Sequence, residues 1–85
     1  MKQTAKLDKW ATVVIVGELR YAGTVSDHPK IEDGTLIYTS KVERVYEKDG
    51  VPMVETRNTV YTLGEFSSDL AANMKALGMS GDVVN

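Results

Sequence analysis

Two short polar runs carry the residues best suited to chemistry in this chain, Thr39-Ser40-Lys41 and Thr56-Arg57-Asn58-Thr59. Arginine presents a planar fork of five donors, and Ser, Thr and Asn add donors and acceptors that adapt to a partner. Such a mixture suits a small polar anion, a phosphate or the edge of a base. The competing reading is a solvated sheet face held by Thr–Thr and Ser–Thr cross-strand pairs. A third segment, Gly23 to Gly34, leads directly towards these runs and contains Asp27-His28-Pro29-Lys30-Ile31. At about a dozen residues it is near the length above which loops are usually functional or disordered.

Enzymatic chemistry finds little else to work with. His28 is the only imidazole, and its neighbours Ser26 and Asp27 do not complete a triad, because adjacent residues of an extended chain point to opposite sides. Its favoured role is a turn histidine bonding backbone in Asp-His-Pro. The carboxylates of Glu32, Asp33, Glu43, Glu47, Asp49 and Glu55 are scattered, and Asp33 and Asp49 each precede a turn glycine. No EF-hand or P-loop spacing occurs. Zero cysteines and one histidine exclude a thiolate zinc site and a His-pair metal site. The chain reads as a non-enzyme with no metal and no cofactor.

Composition narrows the partners. Eighty-five residues with 42% hydrophobic and 26% charged side chains make one domain, 1–85. A net charge of −2 opposes general nucleic-acid binding, which needs a basic face. The longest apolar run, Val13-Val14-Ile15-Val16, falls far short of the ~20 residues of a membrane span. The N-terminus lacks the pattern of an export signal. A cytoplasmic protein with no membrane association is expected. Trp10, Tyr21, Tyr38, Tyr46, Tyr61 and Phe66 read as core or interface aromatics rather than a base-stacking platform.

The elements that must position the polar runs follow from patterning. Residues 1–9 read as a polar, flexible lead-in. Trp10 to Tyr21 is rich in β-branched residues and reads as a strand apolar on both faces, with Gly17 as a bulge or a close backbone approach. Thr35–Glu47 and Val51–Leu63 read as strands joined at Asp49-Gly50, the strongest short hairpin signal. Paired residues then have numbers summing to 99: Arg44 faces Glu55, Ser40 faces Thr59 and Tyr38 faces Tyr61. Phe66, Leu70, Met74 and Leu77 recur at helical spacing, so a helix is expected at about 67–77, capped by Ser67 and stopped by Gly78. Residues 79–85 read as a flexible tail. The expected fold is α+β: a small three-stranded antiparallel sheet with one C-terminal helix. A strand apolar on both faces needs two covering layers, and one helix supplies only one. A homo-oligomer is therefore expected, and its association would close the sheet into a small barrel.

The run His28-Pro29-Lys30-Ile31-Glu32-Asp33-Gly34-Thr35-Leu36-Ile37-Tyr38-Thr39-Ser40, followed by Thr56-Arg57-Asn58-Thr59-Val60-Tyr61-Thr62-Leu63-Gly64, resembles a pattern in small phage and prophage proteins. The similarity spans residues 23–65 and extends to the Thoeris anti-defence proteins of phages. These are oligomeric sponges that bind cyclic-nucleotide immune signals without cleaving them. The resemblance implies counter-defence in the host cytosol and a small nucleotide ligand, with Ser40 and Arg57 at ligand-contacting positions. Where the pattern carries an aromatic that packs on a base, this chain has Ile31, which offers apolar contact without stacking. The candidate ligand-binding residues are His28, Lys30, Ile31, Thr39, Ser40, Arg57, Asn58 and Thr59. Arg57 would hold phosphate, Ser40 and Asn58 would hydrogen-bond, and His28 with Ile31 would form the lip. The alternative is a phage-encoded protein–protein inhibitor or adaptor that uses a sheet edge or the acidic surface and takes no small ligand.

Overall fold

In the computed structural model, which describes residues 2–78, the chain begins as a strand. Thr4, Ala5, Lys6 and Leu7 alternate between exposed and buried, the period-2 pattern of a strand with one face on a core. They belong to β1 (Gln3–Ile15), which is followed by β2 (Glu18–Ser26), β3 (Thr35–Tyr38), β4 (Arg44–Lys48), β5 (Val51–Glu55), β6 (Thr59–Leu63) and α1 (Ser68–Ala76). The strands form one six-stranded sheet in the order β3-β2-β1-β6-β5-β4. Neighbours are antiparallel except β1 and β6, which run parallel from Gln3↔Thr59 to Leu7↔Leu63. The tail expected at 79–85 lies outside the described residues. Among the described residues, no helix is long and apolar enough to cross a membrane.

A six-stranded mixed sheet replaces the expected three-stranded antiparallel one, for three local reasons. Val16 and Gly17 both have positive φ (53° and 75°) and form the two-residue turn between β1 and β2, so Trp10–Tyr21 is not one strand and Gly17 is not a bulge. β2 continues to Ser26, which shortens the expected loop to the segment around Asp27–Gly34. The long hairpin breaks on both arms at the two polar runs. Register 99 holds from Arg44↔Glu55 to Lys48↔Val51. Beyond it, Arg57-Asn58 becomes the tip of a second tight turn, where the Thr56 N–H donates to the Thr59 carbonyl at 2.9 Å. β6 then returns along β5, and Tyr38 pairs with Ala22 rather than Tyr61. Thr, Asn and Ser bond their own backbone and favour turns. A polar centre in a long hairpin is therefore turn chemistry.

A β-bulge lets β1 serve two layers. Between Asp8↔Thr24 and Ala11↔Ala22, β1 holds one residue more than β2, and Lys9 takes φ 48°. One extra residue inverts the alternation. Ala5 and Leu7 thus join the cluster of Tyr21, Val25, Val54, Tyr61 and Leu63. Beyond the bulge, Val13 turns to the other face and packs with Ala22 and Met74 of α1. Both cover layers come from this chain, which removes the reason given for needing a partner chain.

The sheet is rolled rather than flat. Five strand steps of ~4.8 Å would hold β3 and β4 about 24 Å apart in a flat sheet, whereas the extended chain from Tyr38 to Arg44 reaches about 20 Å at most. The linker also bonds both sides. The Val42 N–H donates to the Leu19 carbonyl of β2 (3.1 Å), and the next amide, Glu43, donates to the Glu55 carbonyl of β5 (2.9 Å). The linker draws the two ends of the sheet towards each other within one chain, but β3 and β4 do not pair and the sheet is not closed into the expected barrel.

The helix follows its capping residues. The Ser67 hydroxyl accepts the Leu70 N–H at 3.1 Å, and Gly78 at φ 75° follows the last turn. Asp49 (φ 53°) and Gly50 (φ 80°) make the β4–β5 turn. A Cβ at Gly50 meets no atom within 4 Å, so a substitution there is governed by φ alone. Gly50→Val is expected to lower stability by about 1–2 kcal/mol. Urea titration reads this, and an unchanged midpoint would remove the turn from the determinants of register.

Candidate functional site

The opening beside the rolled sheet is a cleft of about 770 Å³. The segment after β2 contributes His28, Lys30 and Ile31 to one wall. β3 and the linker add Ile37, Tyr38 and Ser40. The β5–β6 turn supplies Thr56, Arg57, Asn58 and Thr59 opposite, Tyr61 lies beside them, and Lys2 and Gln3 complete the lining. Seven of the eight candidate residues, all but Thr39, therefore line one cleft although they come from three separate segments.

Thr39 has a different task. It is 1% exposed. Its hydroxyl accepts the Tyr21 N–H (3.0 Å) and donates to the Ser40 carbonyl (2.9 Å). Its own N–H donates to the Tyr21 carbonyl (2.8 Å), and its carbonyl accepts from Arg20 Nη1 (3.1 Å). Thr39 thus fixes the linker to β2 and sets the direction of Ser40. His28 takes the turn role: its Nδ1 accepts the Lys30 N–H at 3.0 Å, which shapes the wall carrying Lys30 and Ile31.

Sequence reasoning missed Lys2, Gln3, Ile37, Tyr38 and Tyr61 as lining residues, and Thr56, singled out in its polar run but not among the candidate ligand-binding residues, lines the cleft as well. Lys2 and Gln3 fell in a segment read as flexible. They are held by the Gln3 N–H donating to the Asn58 carbonyl (2.9 Å) and Lys2 Nζ donating to the Thr56 carbonyl (2.7 Å). A short signal existed in the alternation of Ala5 and Leu7.

The charges fall into two groups. Lys2 Nζ donates to Glu55 Oε2 at 2.6 Å and lies 3.6 Å from Glu43 Oε1. The hydrogen bond to Glu55 raises the Lys2 pKa, and the same bond holds the Glu55 carboxyl below the usual carboxylate range. Glu55 and Glu43, the carboxylates a diagonal pair with Arg57 would use, are thereby engaged by Lys2. Arg57 is exposed, and neither Arg57 nor Lys30 has an ion pair among the described residues. No carboxylate lines the cleft. The described residues hold no group of three His, Asp or Glu side chains able to bind a metal. Two cations, hydroxyls, side-chain amides and the half-exposed Tyr38 ring in a concave opening, with buried Tyr61 beside them, can bind an anion with a planar part.

Acid should loosen this arrangement in a defined direction. The backbone N–H groups of Glu65 and Lys9 lower the Asp8 carboxyl, with the Glu65 N–H at 2.7 Å, and Lys2 lowers Glu55. A carboxyl whose pKa is lowered by folding stabilises the fold above its unfolded pKa and loses that contribution as pH falls through the folded value. Melting temperature should fall below about pH 4.5. The double variant Asp8→Asn, Glu55→Gln should flatten that fall, and an unflattened profile would assign the acid sensitivity elsewhere.

The fold and cleft define a small α+β domain with a rolled mixed sheet and a basic cleft at its open side. Comparison with known proteins adds no relative: no family model, no curated protein and no solved structure matches the chain.

Proposed function

We propose that this chain is a non-enzymatic binding protein whose cleft holds and sequesters a small nucleotide-like anion. The observation that carries the reading is electrostatic. The chain has 12 acidic against 10 basic side chains, yet its cleft is lined by no carboxylate and by two cations without an ion pair among the described residues, Lys30 and Arg57, while Lys2 in the same lining is paired with Glu55 and Glu43. In this reading Arg57 and Lys30 hold the anion, Ser40, Asn58 and Thr59 hydrogen-bond to it, and His28 with Ile31 forms the lip. Phage counter-defence in the host cytosol, against a cyclic-nucleotide signal, belongs to the same proposal and draws on the sequence resemblance. So does assembly of copies, for which exposed Val16, at 95%, and Leu77, at 68%, offer apolar surface. A second reading, an inhibitor or adaptor that binds a protein, is favoured by β3, which ends the sheet order and exposes Leu36.

Thermal unfolding against a panel of cyclic mononucleotides and cyclic dinucleotides tests the reading. A ligand at 100-fold excess over its Kd should stabilise the fold by about 2.7 kcal/mol. No shift with any member, together with capture of a protein partner on β3, would replace it with the second reading.

A further inference from the structure

β3 contributes more to the cleft than side chains. It is the last strand of the sheet order and pairs on one side only, with β2. In an antiparallel pair the N–H and C=O of alternate residues point towards the neighbour, and those between point away. The bonds recorded across this pair identify which are which. The Tyr21 carbonyl accepts from Thr39, the Tyr21 N–H donates to the Thr39 hydroxyl, and the Val25 carbonyl accepts from Gly34. The odd-numbered residues of β2 therefore face β3. By the register Gly23↔Ile37, the Ile37 main chain faces β2. The main-chain groups of Leu36 and Tyr38 therefore face away from β2, on the side where β3 has no strand neighbour. Ile37, Tyr38 and Ser40 line the cleft.

We infer that the outward-facing N–H and C=O of Tyr38 form a recognition edge for the planar part of the ligand. This rests on the reading of the cleft as an anion site. A nucleobase presents adjacent donors and acceptors along one edge, as a strand does, so it can pair with a free strand edge. Arg57 and Lys30, which line the same cleft, then take the phosphate. The half-exposed Tyr38 ring and the apolar Ile31 and Ile37 lie beside the base. This sets a specificity: the ligand is a base-bearing phosphate, and a sugar phosphate without a base is a poor one. An acidic peptide could also use a free strand edge. β3 offers it only the two outward residues Leu36 and Tyr38, whereas a base edge needs one.

The test uses the position of that amide. Proline is tolerated on an edge strand where the missing N–H faced outwards. Tyr38→Pro removes the recognition donor and leaves the bonds to β2. Tyr38→Ala removes the ring alone, and an amide-to-ester replacement at residue 38 removes the N–H while keeping the ring. Calorimetry with adenosine 5′-monophosphate, cyclic AMP and ribose 5-phosphate is read beside circular dichroism of each protein. The native chain should bind the adenine compounds at least about tenfold more tightly than ribose 5-phosphate. The ester variant, and Tyr38→Pro if folded, should lose that preference and keep the weak binding of ribose 5-phosphate. Equal affinity for all three compounds, or an ester variant indistinguishable from the native chain, would overturn the edge inference and leave the anion site standing. No binding of any of the three, with binding of an acidic peptide along β3, would overturn both.

Discussion

Arg57→Ala is expected to lower affinity for a nucleotide ligand by ten- to over a hundred-fold while leaving the melting temperature unchanged. Loss of a charge-assisted hydrogen bond to a bound anion costs about 1.5–3 kcal/mol, which is that range in affinity. The argument for an unchanged fold is structural. Arg57 sits at the tip of the β5–β6 turn, is exposed, and has no ion pair among the described residues. Its nearest rivals for a structural role, Glu55 and Glu43, are engaged by Lys2 at 2.6 Å and 3.6 Å. Even a diagonal surface pair would contribute at most ~1 kcal/mol. Calorimetry and melting on the same variant separate the outcomes. If melting falls while binding of a validated ligand is untouched, Arg57 is structural and the site assignment fails.

Gly23→Val should have the largest effect on stability, about 3 kcal/mol or more, against a total of about 5–15 kcal/mol for a domain. Gly23 lies on β2 opposite the bulge of β1. A Cβ there would sit 2.8 Å from the Asp8 carbonyl oxygen, 3.0 Å from Leu7 Cγ and 3.1 Å from Trp10 Cα. Two of these are main-chain atoms of the bulge, and the Asp8 carbonyl also accepts the Thr24 hydroxyl at 3.1 Å. Moving them would disturb the alternation that sends Leu7 inward and Val13 to the helix. Gly23→Ala should cost less because it adds the Cβ without the two methyls. Urea unfolding gives both values. A Gly23→Val protein as stable as the native chain would mean that the bulge is free to shift and does not hold the two layers in register.

Local chemistry was legible from the residues alone. Asp49-Gly50, Ser67, Gly78 and the Leu70–Met74 spacing act within a few residues of themselves, so the β4–β5 register and the limits of α1 follow from reading along the chain. The polar side chains suited to an anion were legible for the same reason, since donor and charge belong to the residue. What could not be read was who meets whom. Gln3–Leu7 becomes a strand because Thr59–Leu63, more than fifty positions away, lies parallel to it, and no adjacent residue encodes that partner. Thr39 looked like its neighbour Ser40, but the rolling of the sheet buries one hydroxyl against Tyr21 and leaves the other in the cleft. Thr56-Arg57-Asn58-Thr59 was compatible with a polar strand face or with a turn. The turn prevails because β6 gains both β5 and β1 as neighbours by reversing there. Each residue's donors and charges are intrinsic to it, whereas the cleft that gathers them depends on pairings distant in the chain.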